Sequence, residues 1–359
     1  MSRRVMFVGA SLGGGGSERV MSIIVNAFYT QGDSVKIIRL FDDKIDYKIE
    51  SGIESKYIGN DLENPIIKKV KLVKELRCEI KEYKPDTIIS FLTTCNVISI
   101  LAARGLKINM IVSERNDPNN NVKTRFAAKV RNAAYAQADC LVCQTPDAVK
   151  YFPVYIQKKS AVIPNPISES LPDPYQGKKD NRIVMVCRLN KQKNLPMALN
   201  AFEEFHKTHK SWTLDIYGEG NEKEKLLQIA SKLESRDNIK FHGFTKNVIE
   251  EIKTAGIYLS TSDYEGISNS MLEALAMGIP CVVTDCPIGG ARMVIDNGKN
   301  GVLIPVNNER ACKTALRTMA DDSEARMSIG RKGIEIRKKY DKVSIMKEWN
   351  AVVSRGENK

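Results

Sequence analysis

The sequence predicts an α/β protein made of two doubly wound domains, each built around a parallel sheet. Its 359 residues suit two domains of ordinary size. Short and nearly continuous apolar runs alternate with amphipathic helical stretches, which is typical of consecutive βαβ units. This alternation is interrupted once, by a stretch between residues 164 and 180 that is rich in proline, glycine and charge, and it then restarts.

The first domain is expected to contain buried parallel strands joined by helices, because its short β-rich runs are almost continuously apolar. The strands are predicted at Val5–Gly9, Val35–Leu40, Asp86–Phe91, Asn109–Ser113, Cys140–Gln144 and Ala161–Ile163. The helices are predicted at Glu18–Tyr29, Ile66–Tyr83, Val97–Arg104 and Lys123–Ala136.

The second domain repeats the pattern after a linker. Its strands are predicted at Arg182–Cys187, Thr213–Tyr217, Ile239–Phe241, Ile257–Ser260, Pro280–Thr284 and Val302–Pro305. Its helices are predicted at Leu195–His206, Glu222–Leu233, Val248–Ala255, Asn269–Met277 and Ala291–Asp296, and the stretch 308–355 is expected to be helical. The predicted divisions are a first domain at 1–166, a linker at 167–181, a second domain at 182–340 and a C-terminal helix at 341–359 that packs back onto the first domain. Ligands of such sheets bind outside the carboxyl ends of the strands, so we expect a site in a cleft between the domains.

Composition and charge disfavour several classes of function. No run of about 18 apolar residues is present, and the apolar run after Met1 is too short for a signal peptide, so we expect a cytosolic protein. The net charge of +12 favours a phosphorylated ligand or an anionic membrane surface. Nucleic acid is disfavoured because zinc-finger spacing and aromatic RNA-binding motifs are missing from the sequence. With three histidines and eight scattered cysteines, histidine-based catalysis and multi-histidine metal sites are disfavoured as well.

A glycine-rich loop follows the first strand. Gly13 to Gly16 remove every side chain where the backbone enters a helix, so that N–H groups of Gly14, Gly15 and Gly16 can approach a phosphate or a sugar. A flexible surface turn is the alternative. The dinucleotide-binding pattern G-x-G-x-x-G does not fit residues 9–19, which disfavours a dehydrogenase.

Two cations follow the first strand of the second domain. Arg188 and Lys193 are placed to hold a diphosphate, arginine as a fork and lysine as a point charge. Solvated loop charge is the alternative interpretation, and Lys191 competes with Lys193 for the role.

The segment 260–280 is the most informative of the sequence. It is predicted to run from a strand through a small polar loop into a helix, whose N-terminus can receive a phosphate. Glu265 stands in the loop, and Glu273 lies in an otherwise apolar helix, where a carboxylate needs a partner such as ribose hydroxyls. The candidate ligand contacts between them are Gly266, Ile267, Ser268, Asn269 and Ser270.

Two further glycine-containing segments are weaker candidates. The backbone at Gly243 is placed to pair with a base, although a plain turn fits equally well. Gly289 and Gly290 are expected to open the helix Ala291–Asp296 as a second backbone cradle.

Taken together, the Glu265-to-Glu273 E-x7-E element, Arg188 with Lys193, and the Ser11–Glu18 loop resemble a retaining glycosyltransferase of family 4, with the GT-B fold of two facing Rossmann-like domains. The Gly-rich opening and the stretch from Ser113 to Pro118 resemble bacterial capsule, O-antigen or exopolysaccharide transferases. The resemblance covers nearly the whole chain, and its motifs occur in the expected order.

This resemblance implies a role for each motif. Glu265 would bind donor-sugar hydroxyls, Glu273 the ribose, and Arg188 with Lys193 the leaving diphosphate, while the Gly13–Gly16 loop closes over the donor from the other domain. It implies sugar transfer with retained configuration from a nucleotide sugar, with UDP favoured, to a glycan or polyprenyl-diphosphate-linked acceptor. No cofactor and no metal are expected, in agreement with the lack of a D-x-D motif.

The chain departs from many relatives at one position. Where they place a histidine near the donor sugar, this chain has Glu114 and Arg115, which are candidate sugar or acceptor contacts.

Relatives of this type often work at the inner membrane face. On the predicted helix Ile66–Lys84, an apolar face is bordered by the basic stripe Lys74, Arg77, Lys81 and Lys84, and a second basic helix starts near Lys123. We therefore expect peripheral association with an anionic membrane. An ordinary core helix with solvated lysines is the alternative.

Other functions remain open at this point. A UDP-sugar epimerase or a glycosyl phosphorylase would share the fold but would favour more histidines and carboxylates, or a cofactor lysine, in the cleft. A non-catalytic sugar-nucleotide-binding subunit would share the motifs, and only an assay separates it from the transferase.

Overall fold

The computed structural model describes residues 2–59, 62–122 and 124–357. The chain forms two compact units, one reaching to Pro166 and including the C-terminal helix from Lys342, and the other spanning Ile167–Asp341. Lys123, the predicted start of a basic helix, lies outside the described residues.

The first unit is an α/β unit around a seven-stranded parallel sheet. Its strands are β1 (Arg4–Gly9), β2 (Ser34–Arg39), β3 (Glu54–Tyr57), β4 (Thr87–Phe91), β5 (Asn109–Glu114), β6 (Cys140–Cys143) and β7 (Ser160–Val162). Its helices are α1 (Gly16–Thr30), α2 (Pro65–Tyr83), α3 (Thr93–Ala103), α4 (Arg125–Tyr135), α5 (Pro146–Lys150) and α6 (Val154–Gln157).

The strand order places the glycine-rich loop at a ligand-binding position. The order is β3-β2-β1-β4-β5-β6-β7, so the direction of winding reverses between β1 and β4. Doubly wound sheets bind ligands in the crevice at such a switch point, and the loop after β1 carries Gly13–Gly16. The sequence failed to predict β3, because this edge strand is only half-buried and lacks the apolar run of its neighbours.

The second unit repeats this architecture with six parallel strands. They are β8 (Asp180–Val186), β9 (Thr213–Tyr217), β10 (Ile239–Gly243), β11 (Ala255–Ser260), β12 (Cys281–Thr284) and β13 (Val302–Ile304). The helices are α7 (Leu195–His206), α8 (Lys223–Ala230), α9 (Val248–Ile252), α10 (Asn269–Ala276), α11 (Glu309–Asp321), α12 (Ser323–Gly333) and α13 (Ile336–Lys339). The order β10-β9-β8-β11-β12-β13 puts the switch point between β8 and β11. The predicted class of two parallel-sheet domains is confirmed.

The helix predicted at Ala291–Asp296 is wrong, since this segment forms successive turns. The amide of Asn300 donates to the Val294 carbonyl, and its side-chain oxygen accepts from the Asp296 N–H. These are backbone groups that a continuing helix would use, so the side chain ends the helical path.

The C-terminal helix α14 (Lys342–Glu357) belongs to the first unit. Its buried Trp349 stacks on Phe91 at the end of β4, with ring centroids 5.9 Å apart. Arg3 and Asn109 add hydrogen bonds of 2.9 and 3.1 Å to the Asn350 side chain and the Val353 carbonyl. The helix therefore completes the core on one face of the first sheet.

Helix α2 packs with Leu72, Leu76 and Ile80 in the core. Of its predicted basic stripe, Lys74, Lys81 and Lys84 are exposed. Arg77 is half-buried, and its guanidinium donates to the carbonyls of Ala102 and Arg104 at the end of α3, at 2.7 and 2.8 Å. One nitrogen of its guanidinium, Nη1, is thereby occupied at the end of a neighbouring helix, and the membrane contact of Arg77 stays a prediction.

A charged cluster anchors α2 to the sheet edge. Lys36 of β2 lies 2.9 Å from Glu79 of α2 and 2.7 Å from Glu54 of β3, and Lys56 also pairs with Glu79. Burial raises the pKa of Glu79, but the two lysines outweigh burial and hold that pKa below its usual value. The Glu79 carboxylate therefore stabilises the fold above the ordinary carboxyl range, and this contribution is lost as the pH falls through its folded pKa.

Replacement of Glu79 by glutamine should lower the free energy of unfolding by about 3 kcal/mol at pH 7, because two lysines lose their buried counter-charge. Urea unfolding at several pH values measures this, and the difference from wild type should shrink below about pH 4. Glu82→Gln on the exposed side of α2 is the matched control. Equal losses in both variants at pH 7 would contradict the prediction.

Candidate functional site

An ion pair lies at the switch point of the second sheet. After β8, a short 3-10 helix at Lys191–Lys193 brings Lys193 to Glu265, which lies in the loop after β11. Both side chains are mostly buried, at 15% and 21% exposure. Burial opposes the charge of Lys193, but the adjacent carboxylate outweighs it and raises the lysine pKa. The lysine is therefore a fixed cation at neutral pH.

Hydrogen bonds donated by side chains join the two loops. The Thr261 hydroxyl donates to the carbonyls of Lys193 and Asn194 at 2.9 and 3.1 Å. The Gln192 amide donates to the Tyr264 carbonyl at 2.8 Å, and the Asn194 amide to Asp263 at 2.7 Å. Asn194 has a left-handed backbone, with φ of 44°, which asparagine tolerates better than most residues. The sequence did not identify Gln192, Asn194 and Thr261 as residues that support the site. The feature that could have indicated Asn194 is its position directly before the Leu-Pro start of α7.

The other two cations of this loop are exposed. Arg188 and Lys191 both reach solvent, and Arg188 is close enough to oppose the charge of Lys193. The structure thus distinguishes the competing lysines: Lys193 is paired with Glu265, whereas Lys191 lies on the outer side of the same turn.

Helix α10 begins beside this pair. Ser268 is its N-cap, and the Ser270 hydroxyl donates to the Val186 carbonyl at 2.9 Å and pairs with the Tyr258 hydroxyl at 2.8 Å. The end of β8 is thereby tied to the first turn of α10. Glu273, 6% exposed, lies one turn further along the helix. Glu265, Gly266 and Ser268 line one small pocket, and Lys193 and Ser270 line a second that shares Ser260 and Ser262 with it.

Gly290 supports this site in a way the sequence did not predict. A Cβ at Gly290 would lie 1.8 Å from the Gly266 carbonyl oxygen, so only glycine lets the two backbones approach. Gly289 has φ of 71° and turns the chain there, instead of opening a helix. Gly290 therefore shapes the loop that carries Glu265.

Replacement of Gly290 by alanine should therefore displace Gly266 and its neighbour Glu265 and lower kcat/KM by about 10–100-fold, since small misplacements of reacting groups are costly. Steady-state kinetic assays measure this. Gly298→Ala is the control, because its Cβ meets open space and only its φ of 79° is strained. Wild-type kcat/KM for Gly290→Ala would contradict the assigned role.

The carbonyl of Gly243 already has a partner within the fold. It accepts from the Gly218 N–H at 2.7 Å, and this bond joins the ends of β9 and β10. The predicted contact of the Gly243 backbone with a base stays a prediction. The ring of the neighbouring Phe244, directly after the end of β10, is exposed.

In the first unit, the glycine-rich loop is open where a ligand would need space. Gly14 and Gly16 are exposed, and the Gly14 N–H donates to Asp46 at 2.8 Å, while Gly15 is the N-cap of α1 with φ of −97°. A Cβ at Gly14 would meet only the Asp46 carboxylate, at 3.6 Å. The fold itself therefore does not require glycine at position 14, in agreement with a backbone kept bare for a ligand.

Glu114 and Arg115 lie deeper than the sequence predicted. Glu114 is 1% exposed, and its oxygens accept from Thr93, Asn121 and the Tyr135 hydroxyl. Burial raises its pKa, although these bonds oppose the rise. The Arg115 guanidinium is buried against the Phe91 ring and donates to Asn165. Glu114 therefore joins the end of β5 to α3 and α4, and Arg115 joins the loop after β5 to Phe91 and Asn165. Contact of either side chain with a sugar stays a prediction.

The second-unit site combines a fixed cation, a paired carboxylate and a helix N-terminus at one sheet edge. This arrangement suits a ligand with a diphosphate and hydroxyl groups, because the cations and the helix end attract phosphate while carboxylates accept from hydroxyls. Among the residues that the structure describes, no cluster of three or more metal-ligating side chains occurs.

Two family models match consecutive parts of this chain. The model for glycosyltransferase family 4 matches residues 14–171, and the model for glycosyl transferases group 1 matches residues 169–336. The chain is a glycosyltransferase, with a family 4 domain followed by a group 1 domain. The resemblance seen in its motifs is thereby confirmed, and the enzyme is a glycosyltransferase.

Curated relatives and solved structures agree over nearly the full length of the enzyme. An N-acetylgalactosamine-N,N'-diacetylbacillosaminyl-diphospho-undecaprenol 4-alpha-N-acetylgalactosaminyltransferase of Campylobacter jejuni is 29% identical, with 94% of this chain and 96% of the relative covered. A second Campylobacter jejuni α-1,4-N-acetyl-D-galactosaminyltransferase is 25% identical over 99% of both. The structure of Anabaena HepE in complex with UDP-glucose has a TM-score of 0.83 at 16% identity, covering 98% of this chain and 100% of HepE.

The glycosyltransferase has no helix, within its described residues, that is both long and apolar enough to cross a bilayer.

Proposed function

We propose that this glycosyltransferase transfers a sugar from a UDP-sugar, with retention of configuration, to a polyprenyl-diphosphate-linked glycan at the inner face of the cell membrane. The observation that carries the proposal is the Lys193–Glu265 pair at the β8–β11 switch point, beside the N-terminus of α10. The named acceptor of the first Campylobacter relative and the UDP-glucose bound to HepE support the choice of substrates.

The proposed mechanism divides the site by charge. Lys193 and Arg188 neutralise the departing diphosphate, and the α10 N-terminus adds its partial positive charge. Glu265 accepts from hydroxyls of the transferred sugar, and Glu273 accepts from the ribose. The acceptor hydroxyl attacks the anomeric carbon from the face that the diphosphate leaves, and its proton passes to a diphosphate oxygen. Positioning and charge stabilisation then supply the catalysis without a protein nucleophile or a metal.

A titration tests the donor site. The full chain is heated with UDP, GDP, ADP or one of several UDP-sugars in the presence of EDTA, and thermal midpoints are compared. A selective rise with UDP and one UDP-sugar is expected, because a ligand that binds only the folded state stabilises it. No rise with any nucleotide would overturn the proposal, and a rise with GDP or ADP alone would overturn the choice of uridine.

Glu273→Gln should weaken UDP binding about tenfold or more, because a buried carboxylate hydrogen-bonded to hydroxyls contributes about 1.5–3 kcal/mol. Isothermal titration with UDP measures the change. Glu224→Gln, in the first turn of α8 and away from α10, is the control. Unchanged UDP affinity in Glu273→Gln would remove the ribose assignment.

A further inference from the structure

The first unit carries most of the exposed apolar side chains of the enzyme. Thirteen of the seventeen large hydrophobic side chains that are exposed among the described residues belong to it. The two most exposed are Phe126 of α4 and Ile66 of α2, at 76% and 73%. Exposed aromatic and branched residues grouped on neighbouring helices mark a surface that is covered by something else.

Six of these side chains lie on three neighbouring helices. Helix α3 packs against both α2 and α4. The connections from β3 to β4, β5 and β6 all proceed in the same direction across the sheet, so right-handed crossovers place the three helices on one face. We call this surface the docking face, and its exposed apolar residues are Ile66, Ile67, Val70, Leu101, Phe126 and Val130.

The charge on the first part of α2 and on α4 is basic. The first ten residues of α2, Pro65 to Lys74, include four lysines and no acid, and α3 has no charged residue. Helix α4 contains three basic residues and no acid, and two of them, Arg125 and Lys129, are exposed beside Phe126 and Val130. Apolar side chains flanked by Lys and Arg fit the boundary between headgroups and acyl chains of an anionic bilayer.

We propose that the docking face binds an anionic lipid bilayer, with Phe126, Ile66 and Ile67 entering the headgroup region and Arg125, Lys129 and Lys74 contacting lipid phosphates. The proposal rests on the proposed function, because a lipid-linked acceptor requires the enzyme at a membrane.

The position of the docking face suits such an acceptor. Helices that follow parallel strands run back against them, so the N-terminal turns of α2 and α4 lie at the edge where the strands end. Ile66, Ile67 and Phe126 occupy those turns. The glycine-rich loop after β1 lies at the same edge of this sheet. A bilayer on the docking face is therefore close to the ligand-binding edge of the first unit.

The test is cosedimentation of the full chain with vesicles. Wild type is expected to pellet with phosphatidylglycerol–phosphatidylethanolamine vesicles and not with phosphatidylcholine vesicles. The double variant Phe126→Ser/Val130→Ser should bind the anionic vesicles at least tenfold more weakly. The charge variant Arg125→Gln/Lys129→Gln should lose binding as well, and it should reproduce the effect of high salt on wild type.

Controls separate docking from folding and from the donor site. Val343→Ser removes a comparably exposed side chain on α14, which packs with α1, and should bind like wild type. Every variant should retain the thermal shift with UDP. Wild type that shifts with UDP but ignores anionic vesicles would overturn the docking face alone, as would docking-face variants that bind like wild type. Loss of binding in Val343→Ser equal to that in the double variant would also overturn it.

Discussion

Replacing Glu265 by glutamine should lower kcat by about 10²–10³-fold while UDP affinity stays near the wild-type value. The carboxylate lies at the switch point, held by Lys193 and by the loop that Thr261 anchors. In the proposed mechanism it accepts from hydroxyls of the transferred sugar, and this charge matters most as positive charge develops at the anomeric carbon. Losing one preorganised electrostatic contact of this kind costs about 10²–10³ in rate.

The measurement is single-turnover transfer together with UDP titration. Glu250→Gln, on the exposed surface of α9, provides a control for removing one negative charge from the second unit. A parallel loss of UDP affinity and rate in Glu265→Gln would place the carboxylate on the nucleotide and not on the sugar. Full activity would remove it from the site.

Replacing Lys193 by methionine should also lower kcat by about 10²–10³-fold, but UDP affinity should fall with it. The leaving group is the diphosphate that UDP retains, so a cation that binds it acts on both the transition state and the product. Burial disfavours the charge of Lys193, but Glu265 outweighs burial and raises the pKa of the lysine above its ordinary value, so the lysine stays charged at neutral and mildly alkaline pH. Its loss should therefore reduce activity equally across that range.

Lys191→Met is the matched control, since Lys191 lies in the same 3-10 turn but points to solvent. It should retain most of the wild-type rate. If Lys191→Met is as inactive as Lys193→Met, the assignment of the diphosphate contact to Lys193 is wrong.

Much of the fold could be predicted because parallel strands are buried on both faces. The runs at β1 and β4 to β6 have no polar alternation, and this constraint makes them visible in the sequence. The edge strand β3 is not subject to this constraint, because its side chains are only half-buried or exposed and need not be apolar. At 291–296, the composition favours a helix, but the amide of Asn300 binds its backbone groups from outside the segment.

The outer surface of α2 illustrates a different limit. Its apolar residues fall on two faces about a third of a turn apart, one with Leu72, Leu76 and Ile80 and the other with Ile66 and Val70. Periodicity finds the first face, which is the core. Only the assembled structure shows that the second remains exposed.

The sequence by itself determined the order of the buried strands and of most helices, the two-unit organisation and the loops that bear Gly14, Lys193 and Glu265, because each depends on local periodicity or short spacing. Tertiary structure alone decided that Lys193 pairs with Glu265, that Gly290 must lack a side chain and that Glu114 is enclosed. These features join residues far apart in the chain, and their energies come from distances and burial that arise only when the sheets assemble.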